Sequence, residues 1–301
     1  AFNSYLVILI FPVVMIGFMG TMMAQASASY ARIEGILSAP ERVHTGTITA
    51  PILGGIALTH VDVTLQGRRV LEDVSLTAAA GSRTAVIGPT AAGKTQLLYL
   101  LTGIIEASAG RVEYDGRLIS EYDEEALHRQ VGFVFQDSVL FNLSIRENIA
   151  FSRAVTDADL ARAVATAELH DFIATLPAGL DTVVSERGSS LSGGQKQRLM
   201  LARALALNPR VLLLDDFTAR VDPTTARTIL ENVHRNYPGV TLLSVTQQIA
   251  PVADYDQIIL LMEGELLASG THAELLQTSP EYAQIHDSQR STSQYETVRP
   301  Q

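Results

Sequence analysis

The sequence predicts an α/β domain built on a mostly parallel sheet and preceded by a helix long enough to cross a membrane. Two observations lead to this prediction. An apolar stretch covers Tyr5–Ala24, and beyond Ile56 short β-branched runs alternate with helical segments. Such alternation favours a parallel sheet whose ligands bind at the carboxyl ends of the strands.

Composition narrows the class of protein. Hydrophobic residues make up 47% of the 301 residues and charged residues 18%, which is apolar for a purely soluble protein. The net charge of −10 argues against a nucleic-acid partner, because the chain lacks a basic footprint for phosphate backbones. Since there is no cysteine, disulfides and thiolate metal sites are excluded. The seven histidines lack metal-ligand spacing.

The first element is Tyr5–Ala24, which is about long enough for a helix across a bilayer core. A secretory signal is disfavoured because residues 1–31 carry no charge, and a buried globular helix is the alternative. Pro12 is expected to kink the helix, which membrane helices tolerate. Arg32 and Arg42 place the following segment in the cytoplasm. Because the chain lacks an initiator Met, we interpret this span as the end of a longer membrane domain.

Changes in composition and in hydrophobic pattern along the chain predict the domain boundaries. We expect residues 1–43 to form the span and its cytoplasmic helical extension, and residues 44–55 to form a turn-rich linker. Residues 56–289 form the predicted α/β domain, and the polar residues 290–301 form a flexible tail. Inside the domain, the pattern predicts strands at 83–88, 130–136, Val211–Asp215, Val240–Val245 and Gln257–Leu261, and helices at 94–102 and Pro223–Asn236.

A phosphate-binding loop joins the strand at 83–88 to the next helix. Glycines let the backbone wrap a phosphate, which aligned N–H groups then hold. Lys94 places a positive charge on the phosphate oxygens, and Thr95 offers a hydroxyl to Mg²⁺. An ordinary glycine loop beside a helix is the alternative, but it leaves Lys94 and Thr95 unexplained. The pattern G-x-x-x-x-G-K-[ST] is matched by Gly88, Pro89, Thr90, Ala91, Ala92, Gly93, Lys94 and Thr95.

Two carboxylates follow the apolar run Val211–Leu214. Asp215 is the predicted Mg²⁺ ligand, directly or through water, and Asp216 stands where a catalytic base would follow. A buried strand that ends in a solvated acidic turn is the alternative.

The string LSGGQKQRLMLARAL begins at Leu191 and ends before this strand. Its first residues predict a helix start that contains two glycines. Ser192 can cap the helix, and Gln195 has the spacing of a capping box. Gly193 and Gly194 allow an anion to approach the helix N-terminus closely, where the helix dipole favours negative charge.

Together these strings resemble the ATP-binding-cassette (ABC) transporter family over about Ile56–Gln289. The resemblance implies an ABC-type P-loop ATPase domain with a mixed core sheet, an antiparallel β subdomain and a helical subdomain. The string ASASYARIEGIL resembles the end of the last membrane helix in exporter half-transporters. The matching motifs are the phosphate loop, Gln136 of FVFQD, the signature Leu191–Gln195, Asp215, the aspartate loop ending at Asp222, and the switch position Gln247.

In that family two cassettes dimerise head to tail, and each ATP lies between one phosphate loop and the other chain's signature. The resemblance implies cofactors ATP and Mg²⁺, with Gln136 sensing the γ-phosphate and the metal. It implies an ATP hydrolase of the translocase type in the plasma (inner) membrane, with its cassette in the cytoplasm and an unidentified exported substrate. Residues 185–188 (SERG) resemble the segment that contacts the membrane domain.

Three departures from the family pattern fall on one ATP site. Asp216 replaces the usual Glu, which shortens the side chain by about 1.5 Å, and a displacement of about 1 Å at a reacting centre can cost on the order of a hundredfold in rate. Gln247 replaces the switch His, so it can donate a hydrogen bond but cannot take up a proton or a charge near neutral pH. Leu65 stands where an aromatic residue would stack on adenine.

These departures predict a catalytically impaired site in a heterodimer. The intact signature would complete a competent site on a different half-transporter. Three alternatives stay open: a site that still works at a reduced rate, a homodimeric exporter with two slow sites, and a regulatory subunit that clamps nucleotide with little hydrolysis.

Overall fold

The computed structural model describes residues 2–38, 45–137, 139–152, 154–184, 188 and 191–298. The chain forms two compact units, Ala1–His44 and Thr45–Gln301. The described residues of the first unit form the helix α1 (Phe2–Leu37), which merges the predicted span with most of its predicted extension. Its length and composition suit a membrane crossing, and its described side chains are exposed. The predicted boundary at residues 43 and 44 lies outside the described residues.

The second unit contains an antiparallel sheet of four strands in the order β2-β1-β4-β5. Strand β1 follows the linker directly, and the turn Gln66–Gly67 joins it to β2, with both turn residues at positive φ. This sheet matches the antiparallel β subdomain that the resemblance implies. Its strands are β1 (Ile56–Leu65), β2 (Arg68–Ala78), β4 (Ala109–Tyr114) and β5 (Arg117–Leu118).

A six-stranded mixed sheet forms the centre of this unit, in the order β10-β9-β3-β8-β7-β6. Strands β9, β3, β8, β7 and β6 are parallel, and β10 runs antiparallel to β9 at one edge. Because β3, β8 and β7 are neighbours and parallel, their carboxyl ends meet at one edge of the sheet. The strands are β3 (Arg83–Ile87), β6 (Val131–Val134), β7 (Val211–Asp215), β8 (Thr241–Thr246), β9 (Gln257–Met262) and β10 (Glu265–Gly270).

The helices of this unit include a group of short ones, α4 to α6, which matches the helical subdomain that the resemblance implies. The longer helices α7 and α8 precede and follow β7. Their bounds are α2 (Lys94–Leu101), α3 (Glu124–His128), α4 (Ile145–Ile149), α5 (Asp157–Thr166), α6 (His170–Ala174), α7 (Gly193–Ala206), α8 (Pro223–Asn236), α9 (His272–Thr278) and α10 (Pro280–Val298).

Two hydrophobic clusters cover the two faces of the central sheet. Along β7, Leu212 and Leu214 pack into the cluster that contains α7 and α8. Leu213 packs into the other cluster, with α2 and the antiparallel sheet. Successive side chains of a strand point to opposite faces, so β7 must be apolar at every position. This double burial delivers the carboxylates after Leu214 to the sheet edge.

Candidate functional site

The phosphate loop connects β3 to α2 at the carboxyl ends of the parallel strands. Its conformation depends on two glycines. A Cβ on Gly88 would lie 2.0 Å from the carbonyl oxygen of Leu261. Gly93 has φ +98°, and a Cβ there would lie 2.7 Å from the carbonyl oxygen of Val70. Ala91 is also left-handed, with φ 65°. The neighbouring backbone therefore requires glycine at both motif positions.

The loop folds around the ammonium group of Lys94. Its Nζ donates to the carbonyl oxygens of Gly88 at 2.8 Å and Pro89 at 2.6 Å. Burial lowers the pKa of Lys94, while the charges of Asp216 and Asp215 act in the opposite direction. The result is a partly desolvated amine held within its own loop and facing two carboxylates.

The structure brings Thr95 and Asp215 together from positions far apart in the chain. The Thr95 hydroxyl donates to Asp215 Oδ1 at 3.2 Å. Asp215 is only 3% exposed, and its Oδ2 has no hydrogen-bond partner among the described residues. Burial raises the pKa of Asp215, the hydrogen bond from Thr95 lowers it, and the charge of Asp216 raises it further.

These oxygen donors fit a divalent cation. A hydroxyl and a carboxylate are hard ligands of the kind that Mg²⁺ prefers, and an unpartnered buried carboxylate oxygen gains most from a cation. The described residues contain no cluster of three or more His, Asp or Glu side chains able to hold a metal. Phosphate oxygens and waters would therefore have to complete the coordination, as is common for Mg²⁺.

Asp216 follows β7 in the left-handed conformation, with φ 48° and ψ 38°. Asp is among the residues that tolerate this region. The Asp216 amide donates to the carbonyl oxygen of Val245 at 2.9 Å, which joins the turn to β8. Burial raises the pKa of Asp216, and the charges of Lys94 and Arg220 lower it. The carboxylate is half-buried at the edge where the phosphate loop begins.

Other predicted residues surround this edge. Gln247 follows β8, and its Oε1 accepts a hydrogen bond from the Thr90 hydroxyl of the phosphate loop at 3.3 Å. Gln136 lies two residues beyond β6 and is exposed. Leu65 ends β1 and is 36% exposed. The structure thus joins Gln247 to the phosphate loop directly, whereas no side-chain hydrogen bond between Gln136 and this loop is found among the described residues.

The signature forms the N-terminus of α7. Ser192 Oγ accepts from the Gln195 amide at 3.2 Å, and Gln195 Oε1 accepts from the Ser192 amide at 2.9 Å. The capping box predicted from the spacing is therefore present. Leu191 is half-buried, and Gly193 is exposed. A Cβ on Gly194 would lie 2.9 Å from the carbonyl oxygen of Arg220, so the aspartate loop packs closely on this helix start.

Asp222 ends the aspartate loop and caps α8 by accepting from the Thr225 amide at 2.9 Å. Hydrogen bonds from Thr225 lower the pKa of Asp222, so its carboxylate stays ionised at neutral pH.

Sequence reasoning missed Arg220, which forms an ion pair with Asp137 at 3.4 Å beside Gln136. In the sequence, only the position of Arg220 within the aspartate loop indicates that this residue lies near the site. In the predicted membrane-domain contact, residues 185–187 lie outside the described residues.

Residues 71–219 match the family described as ABC transporter. The chain is 37% identical over 279 residues to an ABC transporter ATP-binding protein, YfiB, of Bacillus subtilis, covering 91% of this chain and 48% of the relative. It is 34% identical over 300 residues to an ATM1-type heavy metal exporter of Novosphingobium aromaticivorans, covering 97% and 49%. An ATP-dependent lipid A-core flippase of Acinetobacter baylyi is 34% identical over 263 residues, covering 86% and 46%.

Among solved structures, a bacterial Atm1-family ABC exporter with ATP bound superposes with a TM-score of 0.80 at 34% identity. The alignment covers 95% of this chain and 51% of that chain. The chain therefore spans about half the length of these relatives.

Proposed function

The chain belongs to the ABC transporter family, and we propose that it is the ATP-binding part of an exporter subunit whose own ATP site turns over slowly. In this proposal residues 56–289 form the cytoplasmic cassette, residues 44–55 the linker and residues 290–301 the tail. The helix within residues 1–43 crosses the plasma (inner) membrane. The observation that carries the proposal is the Thr95–Asp215 pair beside the phosphate loop, with Asp216 and Gln247 on the same edge.

ATP would bind to residues 88–95, with Lys94 against the phosphate oxygens. Mg²⁺, when bound, neutralises developing phosphate charge. Thr95 and Asp215 are the residues that would hold it, and Gln136 would sense it together with the γ-phosphate. Leu65 would pack on the adenine without the stacking energy of an aromatic ring, which is about 1–3 kcal/mol per base.

The impaired turnover rests on two opposing effects at Asp216. Burial raises its pKa, which makes the carboxylate a better proton acceptor than a solvated Asp. The side chain is nevertheless about 1.5 Å shorter than Glu, and a misplacement of about 1 Å costs on the order of a hundredfold. The loss of rate from the shorter Asp216 side chain therefore outweighs the gain from its raised pKa. Gln247 adds a second deficit, since its amide can hydrogen-bond but cannot take up or release a proton near neutral pH.

The signature residues 191–195, with Asp222, would serve the ATP of a second chain. Exporter-type ABC proteins work as dimers in a membrane. The capped N-terminus of α7, with Gly193 exposed, can receive an anion from outside the chain. We infer a partner that differs from this chain: it carries Glu and His at its base and switch positions and an altered signature. A homodimer with two slow sites and a non-hydrolysing nucleotide clamp are the competing assignments.

The test is a double reversion, Asp216→Glu with Gln247→His, in the full-length subunit. We expect steady-state ATPase activity to rise at least tenfold, either alone or with the candidate partner. A matched control makes the same exchanges at exposed positions, Asp171→Glu and Gln284→His, and should leave the rate unchanged. Adding Lys94→Ala to the reverted chain should abolish the gain. If reversion raises the rate neither alone nor with a partner, the slow site has another origin.

A further inference from the structure

On the C-terminal helix α10, the side chain of Gln289 contacts the switch position. Gln289 Nε2 donates to the carbonyl oxygen of Gln247 at 2.7 Å. Gln289 Oε1 accepts from the amide of Ile249 at 2.9 Å. One carboxamide therefore holds a carbonyl group and an N–H group on either side of Gln248, in a segment 40 to 42 residues earlier in the chain. We call residues 247–249 the switch loop.

The rest of the switch loop is also anchored. The Gln248 amide donates to Thr246 Oγ1 at 3.0 Å, at the end of β8. Ile249 is only 2% exposed and packs in the larger hydrophobic cluster. With the backbone held on both sides, the exposed side chain of Gln247 extends to the Thr90 hydroxyl, 3.3 Å away. A chain of contacts thus runs from α10 through the switch loop to the phosphate loop.

The start of α10 gives Gln289 a firm base. Tyr282 is fully buried, and its hydroxyl lies 2.7 Å from His272 Nδ1. Ser279 Oγ accepts from the Tyr282 amide at 3.3 Å. Gln289 follows Tyr282 by seven residues, which places both on one face of the helix about 10 Å apart along its axis. Burial of the Tyr282 ring therefore turns Gln289 toward the switch loop.

We propose that Gln289 is a positioning residue that holds the switch loop so that Gln247 faces the phosphate loop. The proposal rests on the proposed function only for the role of Gln247 at the ATP site. A carboxamide suits the position because it donates and accepts at the same time, whereas a carboxylate only accepts. Gln289→Glu would keep the bond from Ile249 and repel the Gln247 carbonyl, and Gln289→Met would keep the shape and lose both bonds.

The experiment combines amide hydrogen exchange with turnover in the full-length protein. In Gln289→Met, exchange at Ile249 should rise about tenfold, while in Gln289→Glu it should rise less than threefold. In the background with Asp216→Glu and Gln247→His, Gln289→Met should lower kcat at least threefold and leave KM for ATP within twofold, because Lys94 and Thr95 are untouched. Gln289→Glu should give an intermediate kcat. The matched control is Gln284→Met, an exposed position on the same helix, which should change neither quantity.

The proposal is overturned by unchanged exchange at Ile249 in Gln289→Met, and equally by effects of the same size from Gln284→Met. A rise in exchange spread over the whole cassette would also overturn it, since that indicates general destabilisation. If the reverted background shows no turnover, the proposed function fails while the exchange measurement still decides the role of Gln289.

Discussion

Replacing Asp215 with Asn should stabilise the nucleotide-free chain at neutral pH and strongly weaken its stabilisation by Mg²⁺ and ATP. The carboxylate is buried, and its Oδ2 lacks a hydrogen-bond partner among the described residues. A buried charge in this position costs folding free energy, since its solvation is lost without a full set of compensating bonds. Asn has nearly the same shape, removes the charge and still accepts from the Thr95 hydroxyl.

The magnitude follows from the cost of an unsatisfied buried group, about 1–3 kcal/mol and more when it is charged. Asn leaves one amide group partly unsatisfied and gives up the attraction to Lys94, which offsets part of the gain. We therefore expect a net increase of about 1–2 kcal/mol in the free energy of unfolding. For a chain of this size this corresponds to roughly 2–8 °C in the unfolding midpoint.

The raised pKa of Asp215 determines how the stability difference between the variant and the parent chain changes with pH. Burial raises the pKa of Asp215 in the folded state, so folding favours the protonated carboxyl. The penalty is absent below the unfolded pKa and grows as the pH rises through the folded pKa. The difference between Asn and Asp should therefore vanish in acid and reach its full size near neutrality.

The assay is thermal unfolding of the parent chain and of Asp215→Asn from acid to neutral pH, with a chelator present to remove divalent cations. The control is Asp171→Asn, at an exposed position. With Mg²⁺ and ATP at about 100 times Kd, the parent chain should gain about 2.7 kcal/mol, and the variant much less. A variant that is less stable than its parent at neutral pH would refute the reasoning. So would a gain that persists unchanged in acid.

Three further changes test other parts of the site. Leu65→Tyr should tighten ATP binding about fivefold to a hundredfold, from a stacking energy of about 1–3 kcal/mol, as measured by titration calorimetry with GTP as comparison. Gly93→Ala should abolish ATP binding and lower stability by about 2 kcal/mol or more, because a left-handed backbone costs about 1–2 kcal/mol and the Cβ would meet the Val70 carbonyl oxygen; equilibrium unfolding checks this. In the proposed dimer, Ser192→Ala should cost about 1 kcal/mol of stability and slow only the partner's ATP site, whereas Ser144→Ala, at another capping box, should affect stability alone.

Sequence reasoning succeeded where local signals agree. The bounds of β7 match the prediction because its residues are apolar on both faces and two carboxylates end the run. The bounds of α8 match because Asp222 caps the helix and Pro223 opens it. The strand predicted at 130–136 is shorter, Val131–Val134, because it is an edge strand paired only with β7.

Contacts between distant segments could not be predicted in the same way. The Thr95–Asp215 distance depends on the order of β3, β8 and β7 in the sheet, which no local pattern states. The sequence could not show that Asp216 has a left-handed backbone, because Asp adopts other backbone conformations as well. Gln289 lies in a polar helix where the sequence offers nothing to separate it from its neighbours, and only the packing of Tyr282 assigns its direction.

The contacts of Lys94 bear on how fast and how tightly a phosphate can be captured. A free lysine side chain carries about 2 kcal/mol of rotamer entropy, and a ligand that fixes it must overcome that cost. Here two carbonyl groups of the loop already restrain the ammonium, so much of this entropy is lost during folding. In the proposed function, nucleotide binding would exchange these neutral acceptors for charged phosphate oxygens around an ammonium group that the loop already restrains. Such preorganisation favours a site that retains its nucleotide, whatever the rate at which it cleaves it.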